Sequence, residues 1–109
     1  MSEFLRVDTT TESEDEAQLI AAELVRENLA ACVQIVGPIQ STYAWEGKVE
    51  TSREWRLSIK TTQAQYAAVE QAIMRMHSYD VPQIVAFSID RGSESYLGWM
   101  RDNINPSKE

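Results

Sequence analysis

One histidine and one cysteine occur among 109 residues, and that scarcity limits the chemistry open to the chain. His77 is followed by Ser78, Tyr79, Asp80, Val81 and Pro82. An imidazole beside a phenol and a carboxylate in a proline-stiffened loop is part of a metal-ligand set. One His falls short of the three or four ligands that Zn²⁺ or Cu²⁺ takes, so neighbouring chains would have to supply the rest. The plain alternative is an imidazolium at a helix C-terminus, which the helix dipole favours. Cys32 stands among Leu29, Ala30, Ala31 and Val33 and reads as a small buried hydrophobe. A Cys–His nucleophile pair needs the two adjacent in space with a third group orienting the imidazole; here they lie far apart in sequence. Glycine-rich phosphate loops and the nucleophile elbow are absent from the sequence. The segment Asp8, Thr9, Thr10, Thr11, Glu12 carries no arginine that would cradle a phosphate. No enzymatic activity is expected.

Charge narrows the partners. Seventeen acidic and ten basic residues give a net charge of −7, which repels phosphate backbones and anionic lipid. Neither nucleic acid nor a membrane surface is expected as a partner. No apolar run reaches membrane-spanning length, and no basic-plus-apolar leader is seen. A lone cysteine makes no internal disulfide, and a cytoplasmic location is the expectation. Residues 1–30 hold eight acids and two bases and so carry nearly all of the imbalance. The densest run, Glu12, Glu14, Asp15 and Glu16, has two readings, a metal-attracting patch and, favoured, a helix start. Ser13 with Glu16 forms a capping box, and acids suit a helix's first turn.

These residues need elements to position them. Phe4, Leu5 and Val7 predict a short first strand, and Thr9 to Thr11 a loop. Ala17, Ile20, Ala21, Leu24 and Val25 recur at helical spacing from Ser13 to about Asn28. Ala30 to Val36 predicts a strand that Gly37-Pro38 interrupts, and since proline cannot donate to a sheet ladder a kink, a bulge or an edge position is expected there. Strand character resumes through Ile39, Ser41, Tyr43 and Trp45, and Glu46-Gly47 reads as a tight turn. From Lys48 to Thr61 every even position is polar, and the odd positions are mostly apolar, aromatic or β-branched. Fourteen extended residues span roughly 46 Å, against a radius of gyration of about 13 Å for a domain of this size. The hairpin therefore has to overhang its own domain or bend hard around it. An overhang bearing Tyr43, Trp45, Gly47, Lys48, Val49 and Trp55 invites packing on other copies in a symmetric oligomer. Tyr66, Val69, Ile73 and Met76 stripe a second helix ending near His77. Ile84 to Ile89 reads as a buried strand, Ser93 caps a short C-terminal helix, and Asn105-Pro106 begins a polar tail. The order β-α-β-β-α-β predicts an α+β, ferredoxin-like sandwich with a long central hairpin. One domain spans residues 1–109, with both main helices on one face of an antiparallel sheet.

The motifs together resemble a known family. Cys32-Val33-Gln34-Ile35, Tyr43-x-Trp45-x-Gly47-Lys48-x-Glu50, Glu54-x-x-Leu57-x-x-Lys60-Thr61, His77-x-Tyr79-x-x-Pro82-x-Ile84 and Tyr96-Leu97-x-Trp99 are similar to those of the CutA divalent-cation tolerance proteins. The similarity runs from about residue 4 to 103. It implies a homotrimer of ferredoxin-like subunits held by long hairpins, a cytoplasmic location, and a link to tolerance of copper and other divalent cations. It implies weak binding of Cu²⁺ or another divalent cation at His77, with Tyr79, Asp80, Glu54 and Lys60 as neighbours. Thr9 stands where some members carry a copper-binding Cys, and Met76 where some carry a second His. Ser78 and Asp80 replace the usual Pro and Glu. The alternative reading is a trimeric signalling or scaffold protein resembling the nitrogen-regulatory PII proteins, with a small ligand or partner protein in intersubunit clefts lined by Tyr79, Trp99 and Lys60.

Overall fold

The computed structural model describes residues 2–104. Its elements follow the order β1 (Phe4–Thr11), α1 (Glu14–Arg26), β2 (Cys32–Trp45), β3 (Lys48–Thr62), α2 (Tyr66–Met76), β4 (Val85–Ser88) and α3 (Glu94–Asn103). A 3₁₀ turn, Gln63–Gln65, links β3 to α2. The four strands form one sheet in the order β2-β3-β1-β4, with every neighbouring pair antiparallel. Strands β1 and β2 are thus parallel with β3 inserted between them, the split arrangement expected from the order of elements. The expected tail from Asn105-Pro106 lies outside the described residues.

Alternation along the strands separates two faces. Val7, Ile59 and Val33 align across β1, β3 and β2, as do Thr9, Leu57 and Ile35. This row meets Ile20 and Leu24 of α1 and Val69, Ala72 and Ile73 of α2 in the main core. Each such large aliphatic side chain, removed from water, contributes about 1.5–3 kcal/mol. The opposite row carries Arg6, Lys60 and Cys32, then Asp8, Ser58 and Gln34. At the Phe4 end of that face, Phe4, Ala31, Met100 and Ile104 make a second, smaller core under α3. Phe4 and Leu5 are adjacent in sequence and feed different cores because successive strand residues point opposite ways.

Two expectations are corrected. Thr9 to Thr11 are strand, not loop, and pair with Leu57, Arg56 and Trp55. Threonine is β-branched and suits a pleated surface, so a run of three extends a strand as readily as it ends one. Residues 85–88 are exposed rather than buried, because β4 is an edge strand that pairs with β1 alone.

The hairpin is as long as its alternation required. The molecule measures 49 × 26 × 21 Å, its long axis close to the span expected for β3. Glu46 and Gly47 both have positive φ, 50° and 79°, the two-residue turn whose twist matches its strands. Tyr43, Trp45 and Val49 lie exposed toward the tip. Trp55 sits at the root instead, half-buried against the main core, because it falls on the helix-facing row. The register slips between Val36 and Ile39, which is the bulge expected at Gly37-Pro38. Trp55 packs so closely over Gly37 that a Cβ there would lie 2.7 Å from Trp55 Cγ.

Candidate functional site

Four elements converge on the loop after α2. Helix α2 ends because His77 turns extended, with φ −77° and ψ 143°, and this swings its side chain beneath the end of β1. The His77 side chain is 0% exposed. Its Nε2 lies 2.7 Å from the Thr10 carbonyl oxygen. A carbonyl only accepts, so Nε2 carries the proton. Nδ1 is 3.1 Å from the Tyr79 backbone nitrogen, whose N–H donates to it, so Nδ1 offers a lone pair. The imidazole is thereby fixed as its Nε2–H tautomer.

The next two residues attach the loop elsewhere. The Ser78 N–H donates to Glu16 Oε2 over 2.8 Å. Its hydroxyl lies 3.1 Å from Glu16 Oε1 and 3.3 Å from Glu12 Oε2. The expected cap of α1 is therefore half formed. Ser13 Oγ accepts from the Glu16 N–H, but the Glu16 carboxylate reaches across to the loop. Glu16 Oε2 also stands 3.6 Å from His77 Nδ1. Tyr79 places its ring 4.8 Å from that of His77 and donates its hydroxyl hydrogen to Glu54 Oε2 over 2.8 Å. Glu54 is buried on β3, near the root of the hairpin. Burial, then the hydrogen bond and charge of Glu54, push the Tyr79 hydroxyl well above the usual tyrosine range. It acts as a proton donor, not as a phenolate ligand.

Of the residues nominated from sequence, the structure joins His77, Tyr79 and Glu54 in one hydrogen-bonded chain. Asp80 is exposed beyond them. Lys60 stands apart within the chain, 3.3 Å from Gln34 Oε1 and above the Tyr96 ring. Tyr96 in turn stacks near Trp99, so Trp99 sides with Lys60 and not with Tyr79. Cys32 is half-buried at the start of β2. Glu16 and Ser78 take part in the site although the capping pattern assigned Glu16 to its own helix. The acidic run Glu12–Glu16 at the start of α1 was the sequence signal for Glu16, but nothing local reveals its partner.

A divalent cation fits these residues poorly. Both His77 nitrogens are engaged, and among the described residues no group of three or more His, Cys, Asp or Glu could hold a metal ion. Thr9 is fully buried on the helix-facing row, and its hydroxyl has no hydrogen-bond partner. A hydroxyl is a weak replacement for a thiolate toward soft metals.

Known proteins share this fold and much of this sequence. The family model "CutA1 divalent ion tolerance protein" matches residues 5–103. The "Divalent-cation tolerance protein CutA" of Thermus thermophilus is 43% identical over 94 residues, 86% of this chain and 91% of that protein. The chloroplastic CutA protein of Arabidopsis thaliana is 39% identical over 86% of this chain, which spans 52% of that longer relative. Among solved structures, CutA1 from Oryza sativa superposes with a TM-score of 0.94 at 36% identity, covering 97% of each chain. No helix among the described residues is long and apolar enough to cross a membrane. With the split β-α-β order, the overhanging hairpin and the match over residues 5–103, the chain belongs to the CutA1 family of divalent ion tolerance proteins.

Proposed function

We propose that this protein serves divalent-cation tolerance as a cytoplasmic homotrimer, and that it binds Cu²⁺ or another divalent cation weakly and without a preformed single-chain ligand sphere. The observation that carries this reading is the hairpin. Its outer half projects with Tyr43, Trp45 and Val49 exposed, and a soluble chain rarely leaves such a surface uncovered. Closed symmetry supplies the cover, since each protomer can offer its hairpin to the next. Cation association follows from charge: the acids around the start of α1 attract counter-ions at long range. The name of the Thermus relative and that of the matching family model support the tolerance role. We assign it no catalysed reaction.

The test is sedimentation mass with and without Cu²⁺, paired with a calorimetric Cu²⁺ titration. A mass three times that of the chain, with weak, salt-sensitive Cu²⁺ binding, is the expected result. A monomer would defeat the assembly reading. Tight stoichiometric binding insensitive to salt would defeat the diffuse-association reading.

A further inference from the structure

His77 is the side chain that the family resemblance nominates for a cation, yet each atom through which it would bind one is occupied. The Nε2–H bond to the Thr10 carbonyl is by itself compatible with ligation at Nδ1, since ligating imidazoles commonly donate their other N–H to a carbonyl. The obstacle lies at Nδ1. Its lone pair receives the Tyr79 N–H, and the nearest carboxylate, Glu16, is bonded to the Ser78 N–H and hydroxyl. A cation seated between Nδ1 and Glu16 would disrupt three hydrogen bonds at a fully covered side chain. The Ser78 and Tyr79 N–H groups would lose their acceptors.

The same contacts form a brace. His77 ties the end of α2 to β1, Ser78 ties the loop to α1, and Tyr79 ties it to β3. We propose that His77 is the fastener of this brace and not a cation ligand. By accepting the Tyr79 N–H, it aims the Tyr79 hydroxyl at Glu54, and so holds a buried carboxylate satisfied where the hairpin leaves the body. The direction of the hairpin, and with it the assembly surface, depends on the imidazole through Tyr79. His77 is thus a positioning residue for the interface. This inference rests on the trimer reading only in that last consequence; the brace itself lies within one chain.

The experiment compares the parent protein with His77→Ala, His77→Gln and Tyr79→Phe, each measured in chelator and then titrated with Cu²⁺. Amide hydrogen exchange reads the brace. In His77→Ala without metal, exchange at Ser78, Tyr79 and Glu54 should accelerate about tenfold or more, as local opening becomes easier. Cu²⁺ affinity should stay within about twofold of the parent in all three variants, because no ligand is removed. Tyr79→Phe keeps the His77 bond, so it should speed exchange near Glu54 while sparing Tyr79's own position. This second variant carries the test if His77→Ala fails to fold. The proposal is overturned if His77→Gln lowers Cu²⁺ affinity about tenfold with amide protection unchanged, or if metal-free His77→Ala exchanges like the parent. Sedimentation mass of the same samples separates the two ideas: a monomeric parent defeats the trimer reading, while exchange still decides the brace.

Discussion

The Tyr79 hydroxyl donates to Glu54 Oε2 across 2.8 Å, joining the loop after α2 to the strand that carries the hairpin. Glu54 lies on the polar row of β3, yet it is buried. Its burial is tolerable because a donor reaches it.

Removing that donor should cost stability. Tyr79→Phe leaves a buried carboxylate one partner short, with an expected loss of about 1–3 kcal/mol. Urea unfolding at matched protein concentration reads it, since the stability of any self-associating chain depends on concentration. Indistinguishable midpoints for Tyr79→Phe and the parent would show that water replaces the phenol freely.

The same contact sets an alkaline limit. The Tyr79 hydroxyl is held above its ordinary value, which is about 10 in unfolded chains. The folded state keeps a proton that the unfolded state begins to release near that pH. The stabilisation is therefore complete below about pH 10 and is lost as pH rises toward the folded value. From about pH 10 upward, the parent should lose stability more steeply than Tyr79→Phe, compared by urea unfolding across that range. Parallel slopes for the two proteins would contradict this.

Gly37 and Trp55 fix the bend at the hairpin root. A side chain on Gly37 meets the indole, so Gly37→Ala should destabilise by about 1–3 kcal/mol through overpacking. The double variant Gly37→Ala, Trp55→Leu should recover part of that loss in a double-mutant cycle of denaturation midpoints. Simple additivity would place the strain elsewhere.

Thr9 buries a hydroxyl without a partner. Thr9→Val removes that polar group at nearly the same shape, and a gain of up to about 1 kcal/mol is expected. Thermal unfolding measures it. A destabilised valine variant would mean that the hydroxyl has a partner in solution.

The exposed tip should govern assembly. Trp45→Ser together with Val49→Asp removes apolar cover and adds charge, and is expected to yield monomers at concentrations where the parent associates. Analytical ultracentrifugation decides, with far-ultraviolet circular dichroism confirming the fold. An unchanged mass would move the interface away from the tip.

The chain's local patterns determined much of this protein. Fourteen residues of period-two alternation announced a hairpin too long for its body, and the 49 Å axis bears that out. The periodic rows of Ala17 to Leu24 and of Val69 to Ile73 located both main helices, because amphipathic spacing is a local property. Gly37-Pro38 announced the bulge for the same reason. Tertiary structure decided what adjacency in sequence does not encode. Thr9 to Thr11 became strand because β3 stood ready to pair with them. Residues 85–88 stayed exposed because β4 fell at the sheet's edge. Glu16 turned from its own helix cap to Ser78, 62 residues away. His77 read from sequence as a metal ligand or a helix-end cation. Packing buried it and engaged both nitrogens, since a buried polar atom finds whichever partner the fold brings within hydrogen-bond reach.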